Sequence, residues 1–458
     1  MTAAGPGLSE RITRARRIGT TFARIYVGIR VNRFLARRVA PSDMQERWSR
    51  FHAESAESIY QAAIELRGLI LKGCQFLGSR ADVLPREYVE VLSRLQDRVP
   101  PRSFSTVRRT VEQELGRELD ELFSSFDRKP IASASLAQVH RAITLDGRVV
   151  AVKVQYPEIA GLVRSDLANL RLLFRTVARI ERDFDLMPLV DELGDVVPRE
   201  LDFVNEGRNA ERIAGFFAER SDIVTPRIHW DLSSERVLVM ELMQGVKISD
   251  ADGLAEAGVD PNDVARILVE AYCEQILARG FFHADPHPGN LMVQGSGDAL
   301  RLVFLDFGLA KELPPDFRSA VLAFAGALIR GDATAMARAL VELGFETRDG
   351  KVASLAELAA YLLHAAQQVR AQAHLDPELA ERLRHELPDR IRENPVVRIP
   401  SHLVLIARVI GLLSGLARTL GTRVDLVQAV LPYILPRPAA TPAEDQFSGS
   451  DRRDSKST

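Results

Sequence analysis

The sequence predicts an α+β chain, with helices toward both ends and a β-rich stretch between them. Three patterns carry that expectation. Apolar residues recur at helical spacing before residue 125, at Ile59, Ala63, Leu66 and Ile70, then at Tyr88, Val91, Leu92 and Leu95. Between about 126 and 244 the apolar runs become short and β-branched, as in Val150-Ala-Val-Lys153-Val154. Beyond 245 helical spacing returns, interrupted by polar loops. The organisation expected is a helical extension over 1–125, a small β-rich lobe with one long helix over 126–244, and a helical larger lobe over 245–436. A tail over 437–458, turning to Ala, Pro, Ser, Asp and Lys, is expected to be disordered. A chain of 458 residues has room for two or three lobes, and 46% hydrophobic with 27% charged residues is a globular balance. A net charge of −2 offers no overall attraction to nucleic acid. Two cysteines, Cys74 and Cys273, suit a reducing cytosol.

Residues 1–40 are basic: Arg11, Arg14, Arg16, Arg17, Arg24, Arg30, Arg33, Arg37 and Arg38 stand against Glu10. Ile18, Phe22, Ile25 and Ile29 share one face of a helix there. Such a helix suits an anionic membrane surface, which for a cytoplasmic chain is the inner face of the cell membrane. The competing reading packs the apolar face on a folded core with the arginines reaching outward. No continuous apolar stretch of the signal-peptide kind occurs, so none is expected to act as one.

Lys72 and Gln75 follow on an apolar-periodic helix, three residues apart on one face. Residues 131–142 read as a hairpin whose first bend, Ala132, Ser133, Ala134 and Ser135, is built from small residues. Small residues let backbone N–H groups approach phosphates, although Ala and Ser restrict the backbone more than Gly. After the turn at Asp146-Gly147, Lys153 interrupts an apolar strand. A buried ammonium needs an anion; an edge-strand lysine would face water instead. An acidic helix from Pro198 through Glu206, continuing to Asn209 and Glu211, offers Glu200, Asp202 and Glu206, and leaves open which of them pairs with Lys153. The strand 236–242 ends at Gln244-Gly245, the layout of a hinge where backbone atoms around Glu241 and Met243 would bond an adenine ring.

The segment His283-Ala-Asp-Pro-His-Pro-Gly-Asn290 is followed by Asp306-Phe307-Gly308 at the end of the apolar run 299–305. An Asp five residues before an Asn, with a glycine-flanked Asp beyond, is the layout of a phosphoryl-transfer site. That chemistry needs a carboxylate near the nucleophile, for which Asp285 is the candidate. It also needs metal ions to neutralise charge on the phosphoryl oxygens, and Asn290 and Asp306 are the candidate Mg2+ ligands beside ATP. His283 and His287 suggest zinc instead, but no further His or Cys lies at ligand spacing and Cys273 sits in an apolar helical pattern. The run Leu403 to Ala417 is short and broken by Arg408, so it reads as a buried helix rather than a transmembrane one.

From roughly 60 to 435 the chain resembles the UbiB/AarF group of atypical kinases. The motifs that carry the resemblance fall in order: KGCQFLGSR from Lys72, PIASASLAQVH, VAVKVQYP with Lys153, ELDF with the later Glu206, HADPHPGN and LDFG. The resemblance implies a protein-kinase-like two-lobed fold behind a helical N-terminal extension, use of ATP with Mg2+, and an association with quinone biosynthesis. It also implies that the Lys/Gln helix lies over the nucleotide site, in the space used for peptide substrates elsewhere. The chain departs from the pattern in Lys72-Gly73-Cys74-Gln75, with its glycine displaced by one, and in Ser133, where alanine is common. No Ala-Pro-Glu motif follows Gly308, and a helical pattern begins at Phe317, so ordinary peptide phosphorylation is not expected. Retention of Lys153, Asp285, Asn290 and Asp306 together favours an ATPase, or a kinase for a lipid-soluble substrate, over a low-turnover nucleotide-binding scaffold.

Overall fold

The computed structural model describes residues 7–36, 38, 40–78, 84–96, 101–180, 187–347, 355–364, 396–398, 400–422, 429 and 432–433. The expected tail at 437–458, and Ser79 and Arg80 of the KGCQFLGSR motif, lie outside the described residues. The chain divides into two compact units, one made of 1–264, 283–311 and 411–420, the other of 265–282, 312–410 and 421–458.

The first unit starts with α1 (Leu8–Leu35), α2 (Pro41–Leu66), α3 (Gly68–Gly78) and α4 (Arg86–Leu92). Pro41 opens α2 where its missing N–H costs nothing. The apolar positions read at helical spacing do form a core: Ala56, Ala63, Leu71, Cys74, Tyr88, Leu92 and Leu95. There follow α5 (Phe104–Leu115), α6 (Leu119–Leu122), β1 (Phe123–Phe126), β2 (Ala132–Ser133), β3 (Ala137–Thr144) and β4 (Val149–Gln155). After these come α7 (Ile159–Ile180), α8 (Met187–Glu200), α9 (Phe203–Phe216), β5 (Ile223–Val224), β6 (Val237–Glu241) and β7 (Val246–Lys247).

One sheet has the order β1-β3-β4-β6, with β2 paired to β3. Val150, Val152 and Val154 of β4 pack with Val107, Val111, Leu119 and Leu122 in one core. Because side chains alternate across a strand, Lys153 and Gln155 are turned to the opposite face. Helices α10 (Ala251–Glu256) and α11 (Pro261–Cys273) precede β8 (Phe281–His283), β9 (Leu291–Gln294) and β10 (Arg301–Phe304). The second sheet runs β5-β10-β9-β7, with β9 and β10 antiparallel, so that Leu291 pairs with Phe304. The residues just before β9 and just after β10 therefore emerge at the same end of the sheet.

Two expectations need correction. The lobe expected to hold one long helix holds three, α7, α8 and α9. The acidic helix expected to run unbroken from Pro198 to Glu211 is interrupted at Leu201 and Asp202. Asp202 is the reason: its carboxylate accepts the Asn205 N–H at 2.9 Å and so starts a new helix instead of continuing the old one.

In the second unit, α12 (Phe317–Arg330) ends at Gly331, whose φ of 72° is left-handed, and Asp332 caps α13 (Ala333–Glu342) by accepting the Ala335 N–H. The helix expected around 403–417 spans Ser401–Thr419. It is not the buried helix the sequence suggests, since only 17% of its apolar window is buried. By length and composition alone it could cross a membrane.

Candidate active site

All of the candidate site residues fall in the first unit. Lys153 projects from β4 with its side chain 15% exposed, and its Nζ donates to both carboxylate oxygens of Glu206, at 2.6 and 2.9 Å. It also donates to Asp306 Oδ2 at 3.3 Å. Glu206, not Glu200 or Asp202, is thus the partner of Lys153. It lies in the first turn of α9, and the Asp202 cap fixes where that helix starts. Phe203 lies one turn before it, with Lys153 Nζ 5.2 Å from its ring centroid, a cation–π contact. One turn on, Asn209 Nδ2 donates to the Phe307 carbonyl at 3.1 Å, so α9 holds both the strand lysine and the chain after Asp306.

Electrostatics follow from this geometry. Burial opposes charge on the Lys153 ammonium, but Asp306 and Glu206 outweigh it and raise its pKa. Burial pushes the Glu206 carboxyl up to about 7 against the pull of Lys153. Asp306 is also penalised by burial, yet Lys153 and the Gly308 N–H hold it down to about 2, so it stays a carboxylate. The Gly308 N–H donates to Asp306 Oδ1 at 3.0 Å. A side chain at Gly308 would meet that oxygen at 3.3 Å and the Cγ of Glu200 at 3.8 Å, which explains the glycine.

Asn290 and Asp285 are fixed by the loop between β8 and β9. The Asn290 N–H donates to the His287 carbonyl at 2.8 Å, and its Nδ2 donates to the Asp285 carbonyl at 3.3 Å. The Leu305 N–H donates to the Asn290 carbonyl at 3.0 Å, tying this loop to the residue before Asp306. His287 accepts the Gly289 N–H on Nδ1 at 3.1 Å, and the buried His283 ring bonds the Asp306 carbonyl through Nε2. Burial lowers the His283 pKa despite nearby Asp285, so the ring is a neutral donor. Among the described residues no three His, Cys, Asp or Glu side chains converge as a metal group. A Mg2+ ion favours hard oxygen donors, and the half-exposed Asp306 carboxylate and the amide oxygen of the partly exposed Asn290 are donors of that kind.

The extension contributes a second pair. Lys72 Nζ on α3 meets Glu200 Oε1, at the end of α8, at 2.8 Å. Burial opposes its charge, but Glu200, Asp285 and Asp306 together raise its pKa, so Lys72 sits in the field of the candidate catalytic carboxylate and metal ligand. A Cβ at Gly73 beside it would come within 3.2 Å of the Leu193 side chain on α8, a tight contact that the leucine would have to yield to. The displaced glycine leaves α3 a regular helix, and burial pushes the Cys74 thiol up to about 12, which makes it unreactive. Gln75 corrects an expectation: its Nε2 donates to the Leu95 carbonyl at 2.9 Å, inside the extension. Three residues along a helix leave the two side chains about 60° apart on one face, yet Lys72 reaches Glu200 of α8 and Gln75 reaches Leu95.

Of the small residues expected to form the bend, Ala132 and Ser133 are β2 itself, paired to β3, and Ala134 and Ser135 make the turn, with Ser135 buried and Ala132 and Ala134 exposed. Glu241 ends β6 with its side chain exposed, and Met243 lies half-buried in the connection to β7. Sequence reading missed Tyr156, whose phenol reaches this bend; nothing in the apolar pattern marks it.

On α1 the structure reverses the expected membrane face. Ile18 is buried, Phe22, Ile25 and Ile29 are half-buried, and the Phe22 ring lies 5.7 Å from that of Phe174 on α7. Arg14 is buried, ion-paired with Asp166, and donates to the Leu66 carbonyl at 2.5 Å. The opposite face carries Ile12, Val27, Val31 and Phe34, from 45% to 59% exposed.

Comparison with known proteins gives a consistent picture. The family described as ABC1 atypical kinase-like domain matches residues 94–340. AarF domain-containing protein kinase 1 of Mus musculus is 35% identical over 82% of this chain and 72% of its own length. Protein ACTIVITY OF BC1 COMPLEX KINASE 8, chloroplastic, of Arabidopsis thaliana is 32% identical over 83% of this chain, which spans 54% of that protein. A solved structure of the Rv3197–erythromycin complex from Mycobacterium tuberculosis covers 84% of this chain and 97% of its own, at a TM-score of 0.56 and 24% identity, a likeness of fold.

Proposed function

The chain belongs to the ABC1 atypical kinase-like family, and from that premise we propose that it is an ATP-dependent kinase or ATPase of the UbiB type, acting on or supporting the metabolism of a lipid-soluble, quinone-like compound. The observation that carries this reading is Lys153 held between Glu206 and Asp306. In a nucleotide complex Lys153 would hold phosphate oxygens while Glu206 keeps it in place. The bend over 132–135 would lie along the phosphates, and the backbone between Glu241 and Met243 would bond the adenine. Asp306 and Asn290 would hold Mg2+, which supplies neutralisation of charge on the transferred phosphoryl group. Asp285 would accept the proton of the attacking hydroxyl or water, and no leaving-group proton is needed from the protein.

A second reading, a low-turnover regulatory protein, is favoured by one observation: the Lys72 ammonium lies in the field of Asp285 and Asp306 and would compete with bound metal. Peripheral docking on an anionic membrane through residues 10–38 supports access to a lipid-soluble substrate, with the chain on the inner face of the cell membrane. The exposed face of Ile12, Val27, Val31 and Phe34, flanked by arginines, would enter the interface. Phosphate release from ATP by the full chain, with Mg2+, anionic vesicles and quinone-type compounds, tests the reading. Turnover that rises with vesicles and disappears in Asp285→Asn is the expected result. Tight MgATP binding without turnover under all conditions would favour the regulator. Val27→Ser/Val31→Ser/Phe34→Ser should reduce vesicle recovery at low salt; recovery equal to wild type would remove α1 as the docking element.

A further inference from the structure

A buried phenol braces the small-residue bend. The Ala134 N–H donates to the Ala137 carbonyl at 2.8 Å, so that group closes the bend rather than pointing out of it. Tyr156 follows β4 directly, is 4% exposed, and has the Arg102 guanidinium 5.3 Å from its ring centroid. Its backbone N–H donates to the Leu136 carbonyl at 3.0 Å, beyond the bend. Its phenol donates to the Ala134 carbonyl at 3.1 Å and lies 3.1 Å from the Ser133 hydroxyl. A phenol has one proton, so donation to Ala134 leaves the Ser133 hydroxyl to donate to the tyrosine oxygen. The bend is thereby tied to the end of the strand that carries Lys153, three residues away.

A glycine-rich loop can adjust its backbone to a ligand; an Ala-Ser-Ala-Ser bend has far fewer conformations to choose from. Its pose is set before the ligand arrives, and the phenol adds a side-chain tie to the backbone bond that closes the bend. Ser133 matters because an alanine at that position would supply no hydroxyl to the tyrosine.

We propose that Tyr156 is a positioning residue, which with Ser133 holds the 132–135 bend in the pose that receives a nucleotide's phosphate chain. The proposal rests on the nucleotide-binding reading above. Tyr156 touches no ligand itself; it acts through the bend. Presetting the bend lowers the ordering cost only for ligands long enough to reach it, so the effect falls on phosphate-bearing nucleotides and not on the nucleoside.

The test uses the full chain as wild type, Tyr156→Phe, Ser133→Ala and the double variant. Titration calorimetry would measure affinity for MgATP and for adenosine, and hydrogen exchange without ligand would follow the amides of 131–136. Tyr156→Phe should weaken MgATP binding by about 5- to 10-fold, the scale of one hydrogen bond, with adenosine affinity unchanged and exchange at the bend faster. Ser133→Ala should have a smaller effect, since the Ala134 carbonyl still accepts from the phenol, and the double variant should bind no more weakly than Tyr156→Phe alone. Wild-type MgATP affinity in Tyr156→Phe would overturn the proposal. Equal losses for MgATP and adenosine would also overturn it and mark Tyr156 as an ordinary core residue. A wild-type chain that bound no MgATP would instead sink the nucleotide reading. In that event the exchange data judge the brace alone: unchanged exchange in Tyr156→Phe rejects it, faster exchange upholds it.

Discussion

Two lysine–glutamate pairs stand in this site, Lys153 with Glu206 and Lys72 with Glu200, at 2.6 and 2.8 Å. They are the same chemistry in different surroundings. Glu206 is 1% exposed and Lys153 15%, so this pair is buried, with the half-exposed Asp306 as a third charge at its edge. Lys72 and Glu200 are 25% and 15% exposed and join two helices at the margin of the site. Removing one partner from a buried set strands a charge that cannot be solvated; at a wetter pair, water or a proton makes up the loss. The first pair should therefore weigh on stability and binding together, and the second on the site alone.

The strongest way to break that comparison is Glu206→Ala. Lys153 would be left to Asp306, and the strand-to-helix tie between β4 and α9 would go. We expect a loss of about 3 kcal/mol in unfolding free energy, the scale for orphaning one member of a buried ion pair. Urea denaturation measures it, and a variant within about 0.5 kcal/mol of wild type would mean that the pair carries no structural weight.

Asp306→Asn asks a narrower question, because it keeps the shape and removes only the charge. MgATP affinity should fall about 10-fold, roughly 1.4 kcal/mol, while metal-free ATP is affected less. Thermal-shift titrations showing equal MgATP stabilisation in both proteins would count against Asp306 as the main metal ligand.

How much of this was legible in the sequence depends on what kind of pattern each part rests on. The strand carrying Lys153 and the loops carrying Asp285, Asn290 and Asp306 were legible, because short β-branched runs and fixed motif spacings are local. The choice between Glu200 and Glu206 was not, since it turns on a helix break at Asp202 that a run of acidic residues conceals. Asp202, one of the acids that the helix offered, caps α9. The apolar stripe of α1 was legible as a stripe, but the sequence left open whether lipid or a folded core covers it. A helical period says that residues share a side, but only tertiary packing, here against Phe174 and Asp166, says which side is covered. The partner of Gln75 and the role of Tyr156 were hidden for a related reason: they bond backbone carbonyls, of Leu95 and Ala134, which have no signature in sequence.

Lys72→Ala gives the smallest expected effect and sharpens the comparison most. Without the ammonium, Glu200 keeps a pKa that burial already raises, so it can take a proton instead of remaining as a stranded charge. The melting temperature should then stay within about 2 °C of wild type, corresponding to less than about 1 kcal/mol. The field at Asp285 and Asp306 changes more directly, because Lys72 acts on both of them. Losing that positive charge should make room for a metal ion and change MgATP affinity or turnover by about 3-fold, a difference of roughly 0.7 kcal/mol. Differential scanning calorimetry and ATP turnover on the same preparation give the two readings. Wild-type values for both would reduce α3 to plain scaffold. A melting temperature lowered as far as in Glu206→Ala would show that the two pairs do the same job, and the distinction drawn from their burial would fall.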